Sequence, residues 1–335
     1  VNWEPTLRRI PLDYSTSIAV RDKLEITDTF SLGLTGSLSL QDGWDYSQEK
    51  QNYFQASDLP DRDFAIQHSY DAFTTSRDVD IGGLFEIVFQ EEDRYRVESS
   101  SLLVRATDSR TEELSGLYGS ESYNIQETDM QWREQTLFNE ALRGRHFIDS
   151  LNRSELNWTY NFSFARSYEP DRRYYIYRDE GQEEDFVEED SYLVFDDWAV
   201  RRNFTTVNDI INGGALALSL PVTWFGNPTP DFIDVGLDAS YQTRESETRR
   251  FGLTYQDSVS NRDIVSQDPN DMFVDEYIGV DDSGEIFDFR EFTEFTDTIS
   301  ASQILAAAYL STDVLVFGNS RLSTGLRAEW SRQRV

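Results

Sequence analysis

The sequence predicts an all-β chain that forms part of an antiparallel transmembrane β-barrel with long extracellular loops, and two runs of alternating side chains predict it. From Thr29 to Gln41, apolar residues and one glycine at even positions alternate with small or polar residues at odd positions. From Arg153 to Arg166, the apolar positions of the same pattern are mostly aromatic. A strand points successive side chains to opposite faces, so each run makes a ribbon with one apolar and one polar face. Such ribbons are typical of membrane-spanning barrels, because lipid covers one face and a watery lumen the other.

Composition excludes two other classes of protein. The 335 residues are 38% hydrophobic, and no stretch approaches the roughly 18 to 20 consecutive apolar residues of a spanning helix. A helical membrane protein is therefore excluded. Aromatic residues make up 14% of the chain, which is too many for a disordered tail.

Charge and cysteine content exclude further functions. Asp and Glu outnumber Lys and Arg 62 to 30, and the formal net charge of -32 repels nucleic acid and anionic headgroups. A solvated acidic surface explains this charge, and adaptation to a saline habitat stays open as its cause. The chain has no Cys, so disulfides, thiolate zinc sites and Cys nucleophiles are excluded.

The same alternation, followed along the chain, predicts about ten strands. The clearest is near residues 231–245, where Ile233, Val235 and Leu237 alternate with polar or small residues. Between Met130 and Phe147 the apolar residues fit a helical stripe as well as a strand, and from 299 to 312 the apolar face is not decided. The predicted strands lie at roughly 14–27, 28–44, 78–91, 94–107, 126–144, 153–167, 197–220, 231–245, 297–313 and 320–334.

The spacing of these strands predicts short turns at one end and long loops at the other. Thr27-Asp28 and Phe317-Gly318-Asn319 are typical of the short connections. Long loops are uncommon in compact soluble domains but usual on the outer side of outer-membrane barrels. The segments predicted as long loops are Asp45–Arg77, Asp108–Ile125, Ser167–Asp196 and Ser246–Thr296.

Two segments resemble the barrel of TonB-dependent outer-membrane receptors. The segment RSELNWTYNFSFARSYEPDRRYYIYR, at 153–178, resembles an aromatic strand of that family that runs into an extracellular loop. The segment ILAAAYLSTDVLVFGNSRLSTGLRAEWSRQRV, at 304–335, resembles the family's closing hairpin, which ends in Gly-Leu-Arg-x-Glu. The resemblance covers most of residues 14–335. It implies uptake of a scarce nutrient, such as a siderophore, cobalamin or an oligosaccharide, through a plugged barrel in the bacterial outer membrane.

The resemblance also implies partners that the sequence does not contain. The family has an N-terminal plug and a barrel of about 22 strands. Residues 1–335 read as barrel segment alone, with no plug and no terminal aromatic residue, so we expect them to be an internal piece of a longer receptor. The expected partners are outer-membrane lipid, a small-molecule or oligosaccharide ligand, and a TonB-type energising protein that acts through the missing plug.

One segment is the candidate ligand site. Asp171, Arg172, Arg173, Tyr174 and Tyr175 combine guanidinium forks with aromatic rings, which suits anionic or ring-bearing ligands. An interfacial aromatic girdle with neighbouring ion pairs explains the same residues equally well.

No metal, cofactor or catalytic group is assigned from the sequence. Asp281, Asp282 and Glu285 surround a flexible glycine as calcium ligands do, but they lack the ordered calcium-loop pattern, and a solvated acidic turn is the alternative. His68 and His146 are the two histidines, and no nucleophile motif accompanies either, so no enzyme is expected. A passive porin or structural barrel, and a soluble acidic β-sandwich that binds carbohydrate, stay open as alternatives to active uptake.

Overall fold

The computed structural model contains one antiparallel sheet of twelve strands. It describes residues 2–6, 8–56, 64–92, 94–119, 123–179, 186, 191–194, 199–224, 229–255, 262–274, 277–278, 287–317 and 320–335. The strands are β1 (Tyr14–Glu25), β2 (Phe30–Ala56), β3 (Phe64–Glu91), β4 (Tyr95–Tyr118), β5 (Tyr123–Ile148), β6 (Ser154–Asp179), β7 (Ser191–Leu193), β8 (Val200–Val222), β9 (Asp231–Tyr255), β10 (Phe287–Glu291), β11 (Thr298–Phe317) and β12 (Ser320–Arg334).

Ten of these strands lie side by side in chain order, from β1 to β6 and then β8, β9, β11 and β12. The short strands β7 and β10 pair at the margins of β6 and β9. The sheet is open, since no pairing joins β1 to β12 among the described residues. Two short helices, α1 (Arg262–Val265) and α2 (Pro269–Met272), follow β9, and no helix in the described ranges has the length and apolarity needed to cross a membrane.

The predicted all-β, antiparallel architecture is confirmed, but the predicted long loops are largely wrong. The described residues of Asp45–Arg77 and Asp108–Ile125 continue the strands, so that β2 reaches Ala56 and β4 reaches Tyr118. Ser167–Asp196 and Ser246–Thr296 likewise begin inside β6 and β9. Polar residues lie on both faces of these stretches, with aromatic residues scattered among them, so they carry no clear alternation although their backbones pair. The ambiguous stretch near Met130–Phe147 is strand β5.

The register places most of the apolar positions of the ten long strands on one side, which we call the front face, whereas Leu84, Leu102 and Leu137 lie on the other side. Directly paired residues of antiparallel strands share a face. The row that starts at Leu24 runs through partners in every strand and stays on this face, and it also decides the apolar face of β11. The row is Leu24, Leu32, Phe89, Val97, Gly144, Trp158, Leu216, Leu237, Ala308 and Ala328. The opposite side, the back face, carries small and polar residues such as Ser31, Thr35 and Ser39 of β2.

The front face is apolar only in the half of the sheet near the short turns, which we call the proximal half. This apolar band covers about ten residues of each strand, or roughly 33 Å along the strand at about 3.3 Å per residue. Among the residues that the structure describes, no other layer covers it. Its exposed side chains include Val20 (64%), Leu38 (63%), Phe85 (50%), Leu237 (57%) and Leu326 (83%).

The strands are staggered across the sheet. In the row above, Leu24 is one residue from the end of β1 at Glu25, whereas Ala308 is nine residues from the end of β11 at Phe317. The line of turns therefore slips by about one residue per strand. With roughly 3.3 Å per residue and about 4.8 Å between strands, this slip inclines the strands by about 35° to the normal of that line.

Above the apolar band, the front face carries a belt of aromatic and charged residues. The Arg77 guanidinium lies 5.2 Å from the Trp44 ring centre and donates a hydrogen bond of 2.6 Å to Asp42. In β9, Arg249 lies 4.8 Å from the Phe251 ring centre and pairs with Glu291 at 3.1 Å. Front-face aromatic residues of the belt are Trp44, Tyr46, Phe73, Trp132, Tyr168, Phe204, Phe251 and Phe289.

At the distal end of the front face, the chain's only packed core lies between the sheet and two other segments, as far as the structure describes it. Residues 2–6 and the region of α1 and α2 cover β6, β8 and β9 there. The side chains of Met272 and Phe287 are fully buried. The core consists of Trp3, Tyr175, Tyr177, Leu193, Val200, Leu253, Met272 and Phe287.

Candidate functional site

A β-bulge in β6 determines where the predicted ligand residues lie. Between the pairs Glu134–Tyr168 and Met130–Arg173, β6 contains one residue more than β5. The register with β8 slips at the same place, between Glu169 and Arg172. Pro170 lies at this point, where a residue that donates no backbone hydrogen bond is tolerated.

The five predicted ligand residues therefore lie in a strand and not in a loop, and they do not form one site. Asp171 is in the bulge. The strand alternates again after it, so Arg173 and Tyr175 lie on the front face and Arg172 and Tyr174 lie on the back face. Their role in binding a ligand stays a prediction.

On the front face, Asp171 binds two guanidinium groups. Arg202 donates to its carboxylate through Nε at 2.8 Å and through Nη2 at 2.9 Å, and Arg173 donates through Nη2 at 2.6 Å. All three side chains are about one-fifth exposed. Burial alone would raise the pKa of Asp171, but the hydrogen bonds and charges of Arg202 and Arg173 outweigh it and hold that pKa below its ordinary value.

On the back face, Arg172 and Tyr174 have acidic partners from β5. Arg172 donates through Nε to Asp129 at 3.0 Å, which raises the pKa of the guanidinium. The Tyr174 hydroxyl bonds the carboxylate of Glu127, and the Arg201 guanidinium lies 4.0 Å from the Tyr174 ring centre. Burial is the main cause that raises the pKa values of both Tyr174 and Glu127, so the tyrosine stays a neutral donor.

These contacts change what the segment can do chemically. An arginine that is already paired with a carboxylate presents no net charge to an anionic ligand, and freeing it would require breaking a charge-assisted hydrogen bond. Arg172 is paired in this way with Asp129. Arg173 and Arg202 share the single carboxylate of Asp171, so these two arginines keep one positive charge between them. The ion pairs hold the bulge to its neighbours β5 and β8.

Beside Tyr175, a polar cavity of about 300 Å³ separates the front face from the segments that cover it. Tyr175 and Thr128, both buried, line it from the sheet. Burial raises the pKa of Tyr175 to about 12 and raises the pKa of Glu113, which also faces the cavity. The lining is polar, with carboxylates, amides and hydroxyls, and it suits small neutral or cationic molecules more than anions.

The other candidates from the sequence are placed as follows. Asp281, Asp282 and Glu285 lie outside the described residues. Within the described ranges, no three acidic or histidine side chains lie close enough to hold a metal ion. Near the proximal end, His146 accepts a hydrogen bond of 3.0 Å from Trp158 Nε1.

Comparison with family models, with curated proteins and with solved structures finds no match to this chain.

Sequence reasoning missed the residues that bring the distal segments together. The Trp3 amide donates to Asn270 Oδ1 at 2.7 Å, and Asn270 in turn donates to Glu4. Arg173 also binds the Asn2 carbonyl oxygen. These partners are far apart in the sequence and carry no common motif, so the one available signal was an isolated tryptophan in a polar N-terminal stretch.

Proposed function

We propose that this chain forms part of the wall of a β-barrel in the bacterial outer membrane, and that the barrel takes up a nutrient in the manner of TonB-dependent receptors. The observation that carries the proposal is the apolar band, since ten strands present large uncovered apolar side chains on one side and polar ones on the other. A contiguous exposed apolar surface of this kind marks contact with a membrane or another protein.

The dimensions of the sheet support contact with lipid. At an inclination of about 35°, a 33 Å band is roughly 27 Å tall, close to the apolar height of about 25 Å in outer-membrane barrels. The slip of about one residue per strand is the stagger that closing a sheet into a barrel requires. The belt of Trp44, Phe251 and their arginine neighbours lies where aromatic girdles meet the headgroups.

The back face supports a hydrated passage. Small and polar residues make up most of it at the height of the band, with a few apolar residues such as Leu102 and Leu137. Ion pairs such as Glu98 with Arg143, at 2.9 Å, also lie on it. A soluble β-sandwich fits less well, because a sandwich needs a second sheet over the apolar face, and the described strands belong to a single sheet.

Dependence on an energy source distinguishes active uptake from passage through a passive porin. The assignment of active uptake rests on the resemblance to TonB-dependent receptors alone. The first test reconstitutes the protein into lipid vesicles and measures its resistance to alkaline extraction. A protein that stays in buffer without detergent contradicts membrane insertion.

The second test measures solute uptake in cells that express the complete gene product, with and without the proton gradient. Loss of uptake without the gradient supports the energised receptor, and unchanged uptake supports the porin.

A further inference from the structure

Four aromatic rings form one row across the back face at the distal end of the sheet. Tyr53, His68, Tyr118 and Tyr123 are direct register partners from β2, β3, β4 and β5. Their ring centres are separated by 6.1 Å, then 4.6 Å, then 5.5 Å along the row. We call these four residues the ring row.

Other side chains extend the ring row. Tyr70, next to His68 on the same face, stacks on the His68 ring with an angle of 9° between the planes. At the β5 end, the Arg178 guanidinium lies 3.7 Å from the Tyr123 ring centre. At the other end Tyr53 is 52% exposed, so the row presents an open aromatic surface.

The ring row lies on the polar face. An aromatic cluster on the front face would be explained by lipid, headgroups or the distal core. None of these explains rings that share a face with Ser31 and Thr35. Aromatic rings on a polar, solvent-facing surface are typical of binding sites, because Tyr offers a flat apolar face and a polar tip.

The charges near the ring row decide between ligand classes. On the same face, the next part of β2 to β5 carries many carboxylates. The basic residues there are fewer: Arg110 is already paired with Glu112 at 2.8 Å, and Arg133 is the register partner of Asp108. Arg178 lies against Tyr123 at the β5 end. The carboxylates include Asp45, Glu49, Asp78, Asp108, Glu112 and Glu127. An anionic ligand such as a ferric catecholate would be repelled by this field.

We propose that the ring row is a stacking platform for a neutral oligosaccharide. A pyranose ring has an apolar face that packs on aromatic rings, and its hydroxyls bond carboxylates and tyrosine hydroxyls, so a neutral sugar chain uses both parts of this surface. The strand spacing of about 4.8 Å places rings at intervals suited to consecutive sugar units. This assignment rests on the proposed function, in that it takes the back face as the side along which the solute passes.

The test measures binding of neutral hexasaccharides to the detergent-solubilised protein by titration calorimetry. The probes are maltohexaose, cellohexaose, laminarihexaose and xylohexaose, with oligogalacturonate and a ferric catecholate as anionic counterparts. We expect at least one neutral probe to bind more tightly than both anions. Tyr53→Ala and Tyr118→Ala should each weaken that binding about five- to tenfold, as expected for the loss of one ring contact.

Tyr46→Ala is the matched control. Tyr46 lies in β2 like Tyr53 and is 54% exposed, but it is on the front face. Its replacement should leave sugar affinity unchanged. Tyr118→Phe keeps the ring and should retain most of the affinity, which separates a lost contact from a misfolded protein.

Three results would overturn the platform: no neutral probe binds, an anionic probe binds best, or Tyr46→Ala weakens binding as much as Tyr53→Ala does. Failure of the proposed function looks different, because the protein would then bind sugar without inserting into vesicles. Insertion without sugar binding would overturn the platform and leave the barrel assignment standing.

Discussion

The Ser99 hydroxyl donates a hydrogen bond of 2.7 Å to the carboxylate of Glu140 on the apolar front face. Ser101 binds the other carboxylate oxygen. Glu140 pairs in register with Phe162 and lies in the distal part of the band, eight residues from the end of β5 at Ile148, where a carboxylate opposes contact with hydrocarbon. The two serine hydroxyls satisfy part of its hydrogen-bonding capacity.

Replacing Glu140 with leucine should therefore stabilise the protein in lipid. We expect Glu140→Leu to make folding into vesicles more favourable by about 1 to 2 kcal/mol, because the carboxylate leaves the lipid side. The measurement is a urea titration in lipid vesicles followed by tryptophan fluorescence.

Glu98 provides the opposite-face comparison for Glu140. It binds Arg96 at 3.1 Å and Arg143 at 2.9 Å on the back face, so Glu98→Leu leaves two guanidinium groups without their carboxylate. We expect a destabilisation of about 1 to 2 kcal/mol. If both substitutions shifted stability in the same direction, the assignment of the two faces would be contradicted.

The sequence predicted the apolar band well and the distal half of the sheet poorly. The alternation from Phe30 to Leu40 exists because the two faces meet different surroundings. Residues 45–56 of β2 continue the same strand, but polar residues and an occasional aromatic ring lie on both of their faces, so no period of two marks them. Hydrogen bonds between backbones need no particular side chains, and they extended β2 beyond the predicted end.

The sequence could not show how the candidate site residues are arranged, for a different reason. Asp171 to Tyr175 were expected to act together because they are neighbours in the chain. The single extra residue near Pro170 and the two faces of the strand separate Arg172 from Arg173. The partners Asp129 and Arg202 come from other strands, and only the register brings them to the bulge.

The Asp171 ion pairs predict a dependence of stability on pH. Asp171→Asn should lower the free energy of unfolding by about 2 kcal/mol at neutral pH, since the hydrogen bonds from two guanidinium groups lose their charged acceptor. The pKa of Asp171 in the folded chain lies below the ordinary value of 3.8. The stabilisation is therefore fully present above about pH 4 and is lost as the pH falls through the folded pKa.

The measurement is thermal unfolding of both proteins in detergent between pH 7 and pH 3. The difference between them should stay constant down to about pH 4 and then shrink. Asp288→Asn serves as the control, because its partner Arg290 is 57% exposed and such a pair is worth little. A difference that grew on acidification would refute the pairing.

Trp3 should hold the N-terminal segment and α2 on the sheet. Its side chain is 5% exposed, and its ring centre lies 4.8 Å from that of Phe273. We expect Trp3→Ala to cost the distal core about 3 kcal/mol, in the range for truncating a buried aromatic side chain. Hydrogen exchange should then accelerate in residues 262–274 and stay unchanged in residues 231–245.

Trp3→Phe keeps a ring in the core and should restore most of the protection in 262–274. Equal acceleration in the apolar band and in α2 would mean that Trp3 supports the whole sheet and not its distal cover alone.

The two faces of β9 allow the strictest test of membrane contact. Leu237 is 57% exposed on the front face, and Ser240 lies three residues further along the strand on the back face. Leu237→Arg should weaken insertion into lipid vesicles by about 2 to 4 kcal/mol, the cost of arginine at the middle of a bilayer. Ser240→Arg adds the same side chain to the hydrated side and should leave insertion nearly unchanged. In detergent-free buffer Leu237→Arg should have little effect if no protein covers the band, so a loss of stability there for Leu237→Arg alone would indicate a partner protein and not lipid on this face. An asymmetry between the two substitutions that appears only in the presence of lipid is therefore the result that distinguishes a barrel wall from a soluble sheet with an unoccupied docking surface.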